Sequence, residues 1–509
     1  MHQYMIGIDI GTSGCKSILM DELGHIEAEA FYGYPLSTPE TGWCEQNPED
    51  WWQAVKITIK MLLQEFKSVQ NIVGIGLSGQ MHGMVLLDKN GAVLRPCIIW
   101  SDQRTEKQCQ EIYNRAGGPE ELLKLTNNKM LTGYTGGKIL WVMEHEPAIY
   151  ERTGMILNPK DYIRFMLTGE YATEVSDASG TGLFNVKERE WSYQLLDLLS
   201  ISKELLPECY ESTEISGRLG SCVSVELGLP AGLPVAGGGG DAIIQSVGSG
   251  LVRSGILSAT IGTGGQICAA LDQYSDNAGG KLQIFCNVIP GKWHAMGVML
   301  TAGGALKWLK DLLYQNEAGM LNQQSNIYEM LDMEASYVEP GSKGLFFLPY
   351  LNGERCPHND PDARGAFIGL NLQHKKAHMV RSVLEGVAFG LRDISEIIKE
   401  LGPVPKQVFI SGGGAGSSLW RQITADVLDT DVFSMRAAAY GGALGAALIA
   451  GTGVGVWSSV EEAANVLDIE TKKSPIKSHV ETYNSLFPIY RDLYSSLREG
   501  FKQIAGLKL

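Results

Sequence analysis

The five-residue motif Ile-Gly-Thr-X-Gly occurs twice in this chain, as Ile10-Gly11-Thr12-Ser13-Gly14 and as Ile261-Gly262-Thr263-Gly264-Gly265. Each copy closes an apolar, strand-like run, and each is followed by a second short run that reads as the return strand of a hairpin. Glycine lets such a turn come close to a ligand, and its consecutive backbone N–H groups form a concavity suited to an anion. Two of these turns, half a chain apart, predict two similar domains that hold one polyphosphate. They place the chain among nucleotide-dependent transferases.

The remaining pattern agrees with an α/β class. Residues 4–36 read as a meander of three strands, with turns at Gly11 and at Glu22-Leu23-Gly24. A helix is expected next, because Asn47 suits an N-cap, Pro48 the first helical position, and Glu49 and Asp50 the positive end of the dipole. Val55, Ile59, Leu62 and Phe66 keep helical spacing. The strand NIVGIGLS follows, then the loop Gly79-Gln80-Met81-His82-Gly83 and a hairpin turning at Asn90-Gly91. The second half repeats this logic, with a hairpin at 256–270 and a strand KQVFIS that runs into Gly412-Gly413-Gly414 and a helix. Alternating strands and helices over 509 residues predict two α/β domains, taken as 1–245 and 246–509, with residues 230–234 as the crossing. The apolar face of 483–504 is read as packing on the core, with a homodimer contact as the second reading.

Acidic residues number 57 against 42 basic ones, a net charge of −15. That sign argues against nucleic acid and against anionic membrane surfaces as partners, but it leaves room for an anionic ligand held by backbone amides and a cation. The nine cysteines form no C-x-x-C pair, so neither a zinc cluster nor a disulfide framework is expected. The N-terminus lacks the basic-then-apolar order of a signal peptide. The uncharged stretch 437–457 holds six glycines and reads as a buried helix and loop, not a membrane span. A cytoplasmic location is expected.

Asp9 ends the first strand immediately before the first turn, where a carboxylate can serve Mg²⁺ beside phosphates; the alternative is an Asp capping its own turn. Asp241 follows the four glycines 237–240, which clear space for close approach. A hydroxyl attacking phosphorus must lose its proton, and Asp241 is the candidate base; the alternative is an ordinary turn residue. The loop at Gly413 and Gly414 is close to a G-x-G-x-x-G pattern, yet its depth in the chain fits an adenosine contact better than a dinucleotide fold. Met81 and His82, at a strand end, and Asp102 within Trp100-Ser101-Asp102-Gln103-Arg104 could face a substrate or simply pack.

Several long stretches resemble the FGGY carbohydrate kinases, of the actin, Hsp70 and sugar kinase superfamily. They are GYTGGKILW with Glu144-His145, GAFIGL with His378-Met379 and SVLE, and LPYLNGERCPHNDPDARG at 348–365. Within that family the chain looks most like the xylulose-phosphorylating branch. The resemblance implies two ribonuclease H-like domains with ATP and Mg²⁺ in an interdomain cleft. It makes Asp241 the catalytic base and Asp9 the residue that serves the metal. It assigns Thr12, Ser13, Gly262, Thr263 and Gly264 to the phosphate loops and Gly413 and Gly414 to adenosine. Met81, His82, Asp102 and Asp241 become substrate contacts, and the loop 176–181 resembles further cleft residues. The implied reaction is transfer of the γ-phosphate to the terminal hydroxyl of a ketopentose, D-xylulose first, with ribulose or gluconate as alternatives. One position departs: that branch usually carries Asn after the base, where its amide can reach the sugar, and here Ala242 stands.

Overall fold

The strand Tyr4–Ile10 is buried along almost its whole length, as a central strand flanked on both faces must be. It runs antiparallel to Gly14–Asp21, which pairs with Ile26–Gly33, and parallel to Ile72–Gly79 on its other side. Pro234–Ala236 and Ile215–Arg218 extend this sheet. The expected helix spans Pro48–Leu63, and the Asn47 side chain accepts a hydrogen bond from the Glu49 amide at 3.2 Å. Its buried Trp51, Val55, Ile59 and Leu62 join the core with Ile6, Ile8, Leu19 and Leu77, each such side chain contributing on the order of 2 kcal/mol.

The computed structural model describes residues 2–314, 324–436 and 438–507. The chain forms two units. The first comprises Met1–Val252, Leu271–His294 and Ala439–Asp468, and the second Arg253–Ala270, Ala295–Ala438 and Ile469–Leu509. In the second, Ile256–Ile261 runs antiparallel to Gly265–Leu271 and parallel to Gln407–Ser411, which is parallel to Asp431–Met435. A hairpin flanked by one parallel strand is therefore the motif of both sheets. The likeness inferred from the duplicated turn extends to strand pairing.

Three expectations need correction. Residues 230–234 are not the crossing, because Pro234 already opens a strand of the first unit's sheet and that unit's first stretch runs on to Val252. The alternative of an ordinary turn residue at Asp241 does not hold: Gly239 and Gly240 before it pair in parallel with Ser78 and Gly79, and Asp241 opens the helix Asp241–Gly248. The Asn90-Gly91 turn is present, but the main partner of Val85–Asp88 is Thr153–Leu157.

The stretch 437–457 does supply a buried helix, Gly441–Gly453, in the first unit; Ala437 lies outside the described residues. Among the described residues no helix is long and apolar enough to cross a membrane. In the second unit the C-terminal helix Lys477–Ala505 buries Tyr483, Phe487, Tyr490 and Phe501 and packs on Lys376–Glu400. Ile504, expected on that face, is exposed. Tyr494 is buried instead, because a 3.6-residue period drifts off a fixed stripe over several turns. Six of the nine cysteines are buried, which fits their reading as small hydrophobes.

Candidate active site

Parallel pairing of Tyr4–Ile10 with Ile72–Gly79 sets Asp9 directly beside Ser78, whose hydroxyl donates to Asp9 Oδ1 at 2.6 Å. The helix Gly441–Gly453 starts against the same pair. A Cβ on Gly442 would lie 2.5 Å from Ser78 Oγ and 2.7 Å from Asp9 Oδ1, so only glycine fits there. Burial pushes the Asp9 carboxyl above its ordinary value, opposed by the Ser78 hydrogen bond and by the charge of Lys16.

Asp241 is the first residue of the helix Asp241–Gly248. Its side chain takes the Ala242 amide at 2.8 Å and a hydrogen bond from the Met81 backbone. Burial first, and the negative charge of Asp9 second, push its carboxyl up to about 7. A carboxyl poised there is ionised often enough to take a proton and basic enough to hold it. The sheet also brings Met81 against Gly240, the residue before Asp241, since a Cβ on Gly240 would lie 2.6 Å from Met81 Cγ.

His82 sits at φ 70°, an uncommon conformation for a non-glycine residue. It is held on three sides. Lys138 Nζ and Thr135 Oγ1 donate to its carbonyl at 2.7 and 3.1 Å, its ring Nδ1 meets the Gly180 carbonyl at 2.5 Å, and the ring stacks on Tyr134 with centroids 4.5 Å apart. Lys138 is fully buried, and burial lowers its ammonium to about 7.

Asp102 belongs to a different network. It is fully buried, both its oxygens accept from the Arg104 guanidinium at 2.7 to 3.0 Å, and Oδ2 also takes the Cys44 amide at 2.6 Å.

In each Gly-Thr turn the first glycine donates across the turn, Gly11 N to Gly14 O at 3.1 Å and Gly262 N to Gly264 O at 2.9 Å, one residue tighter in the second copy. Among the described residues, no acceptor is found for the amides of Thr12, Ser13, Thr263 or Gly264, which leaves two pairs of N–H groups for an anion. The Trp100 indole donates to Thr12 Oγ1 at 2.8 Å, and Gln46 donates to the Thr12 carbonyl at 2.7 Å. In the second unit the helix Gly303–Leu313 begins on the turn: Ala302, Gly303 and Gly304 donate to the Gly262 and Thr263 carbonyls at 2.7 to 3.0 Å. The glycine loop abuts the same turn, since a Cβ on Gly412 would lie 2.6 Å from the Ile261 carbonyl. Gly413 and Gly414 follow, leading into the helix Ser418–Leu428 capped by Ser417. The first unit thus gathers Asp9, Thr12, Ser13, Met81, His82 and Asp241, and the second gathers Gly262, Thr263, Gly264, Gly413 and Gly414.

Aligning the two copies of the five-residue motif puts Thr260 where Asp9 stands. Thr260 pairs in parallel with Ser411, their hydroxyls 3.0 Å apart, just as Asp9 pairs with Ser78. The duplication keeps turn and hydroxyl but carries the carboxylate once. A divalent, oxygen-seeking cation fits the site at Asp9: both Asp9 and Asp241 are desolvated carboxyls, the charge of Asp9 raises Asp241, and the nearby Lys16 charge only partly offsets the burial of Asp9. Among the described residues no cluster of three or more His, Cys, Asp or Glu could hold a metal alone. A cation at Asp9 would complete its shell with water and phosphate oxygens, as Mg²⁺ ordinarily does.

Sequence reasoning placed the acidic residues and the turns but missed Ser78, Gly442 and Lys138 as their supports. The signal for Ser78 was available, because two parallel strands that both end at ligand loops bring their last residues side by side.

Residues 4–248 match the FGGY family of carbohydrate kinases, N-terminal domain, and residues 257–454 its C-terminal domain. The chain is 37% identical over 503 residues to a xylulose kinase of Bacillus subtilis (strain 168), covering 98% of each. It is 32% identical over 509 residues to a gluconokinase of the same organism, covering 99% of this chain and 98% of the other. Among solved structures it is similar to a xylulose kinase from Rhodospirillum rubrum, with a TM-score of 0.91, 30% identity, and 98% of this chain and 100% of that one covered.

Proposed function

The chain belongs to the FGGY family of carbohydrate kinases, and from that premise we propose that it phosphorylates the terminal hydroxyl of D-xylulose with ATP. The observation that carries the reading is Asp241: a carboxyl raised to about 7, hydrogen-bonded to the backbone of the sugar-loop residue Met81. Asp241 accepts the proton of the substrate hydroxyl as its oxygen attacks phosphorus, the one proton transfer this reaction asks of the protein. The amides of Thr12, Ser13, Thr263 and Gly264 hold phosphate oxygens, and Gly413 and Gly414 pass the adenosine at close range. Mg²⁺, held through Asp9, would offset the charge on the transferring group. Met81 and His82 line the sugar. The Asp102 carboxylate, engaged by Arg104 and Cys44, contributes by fixing the loop around Trp100. The enzyme works in the cytoplasm, where its ATP is made.

Identity of 37% to a xylulose kinase against 32% to a gluconokinase favours the ketopentose. Ala242 supports keeping an aldonate as the second reading, since a methyl offers the sugar no hydrogen bond where an amide otherwise would. Asp241→Asn should abolish turnover and keep ATP binding; near-normal turnover would sink the assignment of the base. A coupled ADP assay over a sugar panel decides the acceptor: faster turnover with ribulose or gluconate than with xylulose would displace the first reading.

A further inference from the structure

Six side chains with no part in the proposed chemistry lie fully buried in the first unit: Lys160, Asp161, Arg164, Glu174, Ser176 and Asp177. Five of them are chargeable, three acids to two bases. Burying such a group is costly unless it is well paired, so its presence needs a reason other than stability.

Its hydrogen bonds lead to the base. Glu174 Oε1 accepts the Ser176 hydroxyl at 2.9 Å and the Asp177 amide at 2.8 Å, while Oε2 accepts the Ser176 amide at 2.8 Å and the Ser212 hydroxyl at 2.6 Å. All four lone-pair directions of the carboxylate are used, which fixes residues 174–177 rigidly. Ser176 Oγ, having donated to Glu174, accepts the amide of Gly240 at 3.0 Å. Gly240 is the residue immediately before Asp241. Lys160 provides the counter-charge, 2.5 Å from Asp161 and 3.7 Å from both Glu174 and Asp177, and reaches the Gly237 carbonyl at 3.5 Å. The glycine run is therefore tied at both ends, Gly237 to Lys160 and Gly240 to Ser176. The same segment continues to Gly180, whose carbonyl meets the His82 ring.

We propose that Ser176 is a positioning residue for Asp241, fixing the glycine run through the Gly240 amide, with Glu174 and Lys160 as the anchor that fixes Ser176. A run of four glycines has almost no conformational preference of its own, so the placement of Asp241 must come from outside the run. The inference rests on Asp241 being the base. It assigns the buried charges to orientation of a group that must meet the hydroxyl within a few tenths of an ångström.

The test is steady-state kinetics on Ser176→Ala and Ser176→Thr, with Asp241→Asn alongside. Ser176→Ala should lower kcat by about tenfold or more while the KM for ATP stays within about twofold, because the base moves and the nucleotide loops do not. Ser176→Thr keeps the hydroxyl and should recover most of the loss. Glu174→Gln should lower kcat in the same direction with ATP binding retained, since an amide nitrogen would face donors. If Ser176→Ala keeps kcat within about twofold of the parent, or if Thr and Ala lose it equally, the positioning role is overturned. That failure is distinct from failure of the base itself, which Asp241→Asn reads directly.

Discussion

Asp241→Asn should stabilise the protein in a pH-dependent way at the same time as it stops turnover. The folded chain raises the Asp241 carboxyl from 3.8 to about 7, chiefly by burial and then by the Asp9 charge. A value raised by folding means that the folded state holds the proton more tightly than the unfolded chain. The corresponding stability is complete below pH 4 or so and is lost as pH rises through 7. The wild type thus carries a cost above neutrality that the amide does not. A shift from 3.8 to about 7 is roughly a thousandfold in the protonation equilibrium, or about 4 kcal/mol once the group is ionised. About half of that cost is already present near pH 5.5, so the advantage of the variant should grow by about 2 kcal/mol between about pH 5.5 and 8.5. For a unit of this size that corresponds to a relative rise in Tm of roughly 4–8 °C. Melts of both proteins in chelator, at the two pH values and without nucleotide, read it directly. Added Mg²⁺ should shrink the difference, because a cation at Asp9 offsets the repulsion. A Tm difference that is the same at both pH values, or a variant less stable at the alkaline one, would refute the account of a desolvated base facing a second carboxylate.

Two further outcomes follow from the geometry at Asp9. Gly442→Ala brings a methyl to 2.5 Å from Ser78 Oγ and 2.7 Å from Asp9 Oδ1, so the pair must part. Titration of kcat with Mg²⁺ should then show an apparent affinity weaker by about tenfold or more, and thermal unfolding a loss of about 1–3 kcal/mol. Chelation of divalent cations should stop turnover of the wild type, with Mg²⁺ restoring it; turnover that persists in excess chelator would remove the metal role from Asp9.

What was legible in the sequence was whatever is local. The duplicated Gly-Thr motif, the hairpins around it and the Asn47 cap depend on neighbours in the chain, and each is found where the residues put it. Asp241 could be singled out as a candidate because four glycines before an acid have few structural uses. The supports of these groups were not legible, because each is supplied by a distant segment. Ser78 reaches Asp9 through strand register, Gly442 reaches both from a helix more than 350 residues onward, and Ser176 reaches Gly240 across 64 positions. Asp102 is the opposite case: its motif left open a substrate contact or simple packing, and Arg104, only two residues on, takes up the carboxylate.

The divergence between the two copies of the turn says most about how this scaffold divides its labour. Both copies present two amides with no acceptor among the described residues, and both set a hydroxyl, Ser78 or Ser411, beside the residue before the motif. Backbone amides suffice to hold an anion, so the second copy needs no charged side chain, and Thr260 satisfies Ser411 at no electrostatic cost. The first copy keeps Asp9, which is expensive: it is desolvated, and it raises Asp241. That cost makes sense only where a cation and a proton acceptor are wanted together. A carboxylate at position 260 would meet another hydroxyl but no second acid that the sequence sets aside as GGGGD sets aside Asp241. On the proposed reading, the asymmetry of a duplicated fold thus comes down to one side chain at the end of one strand, together with the glycine, serine and buried charges packed around it and around Asp241.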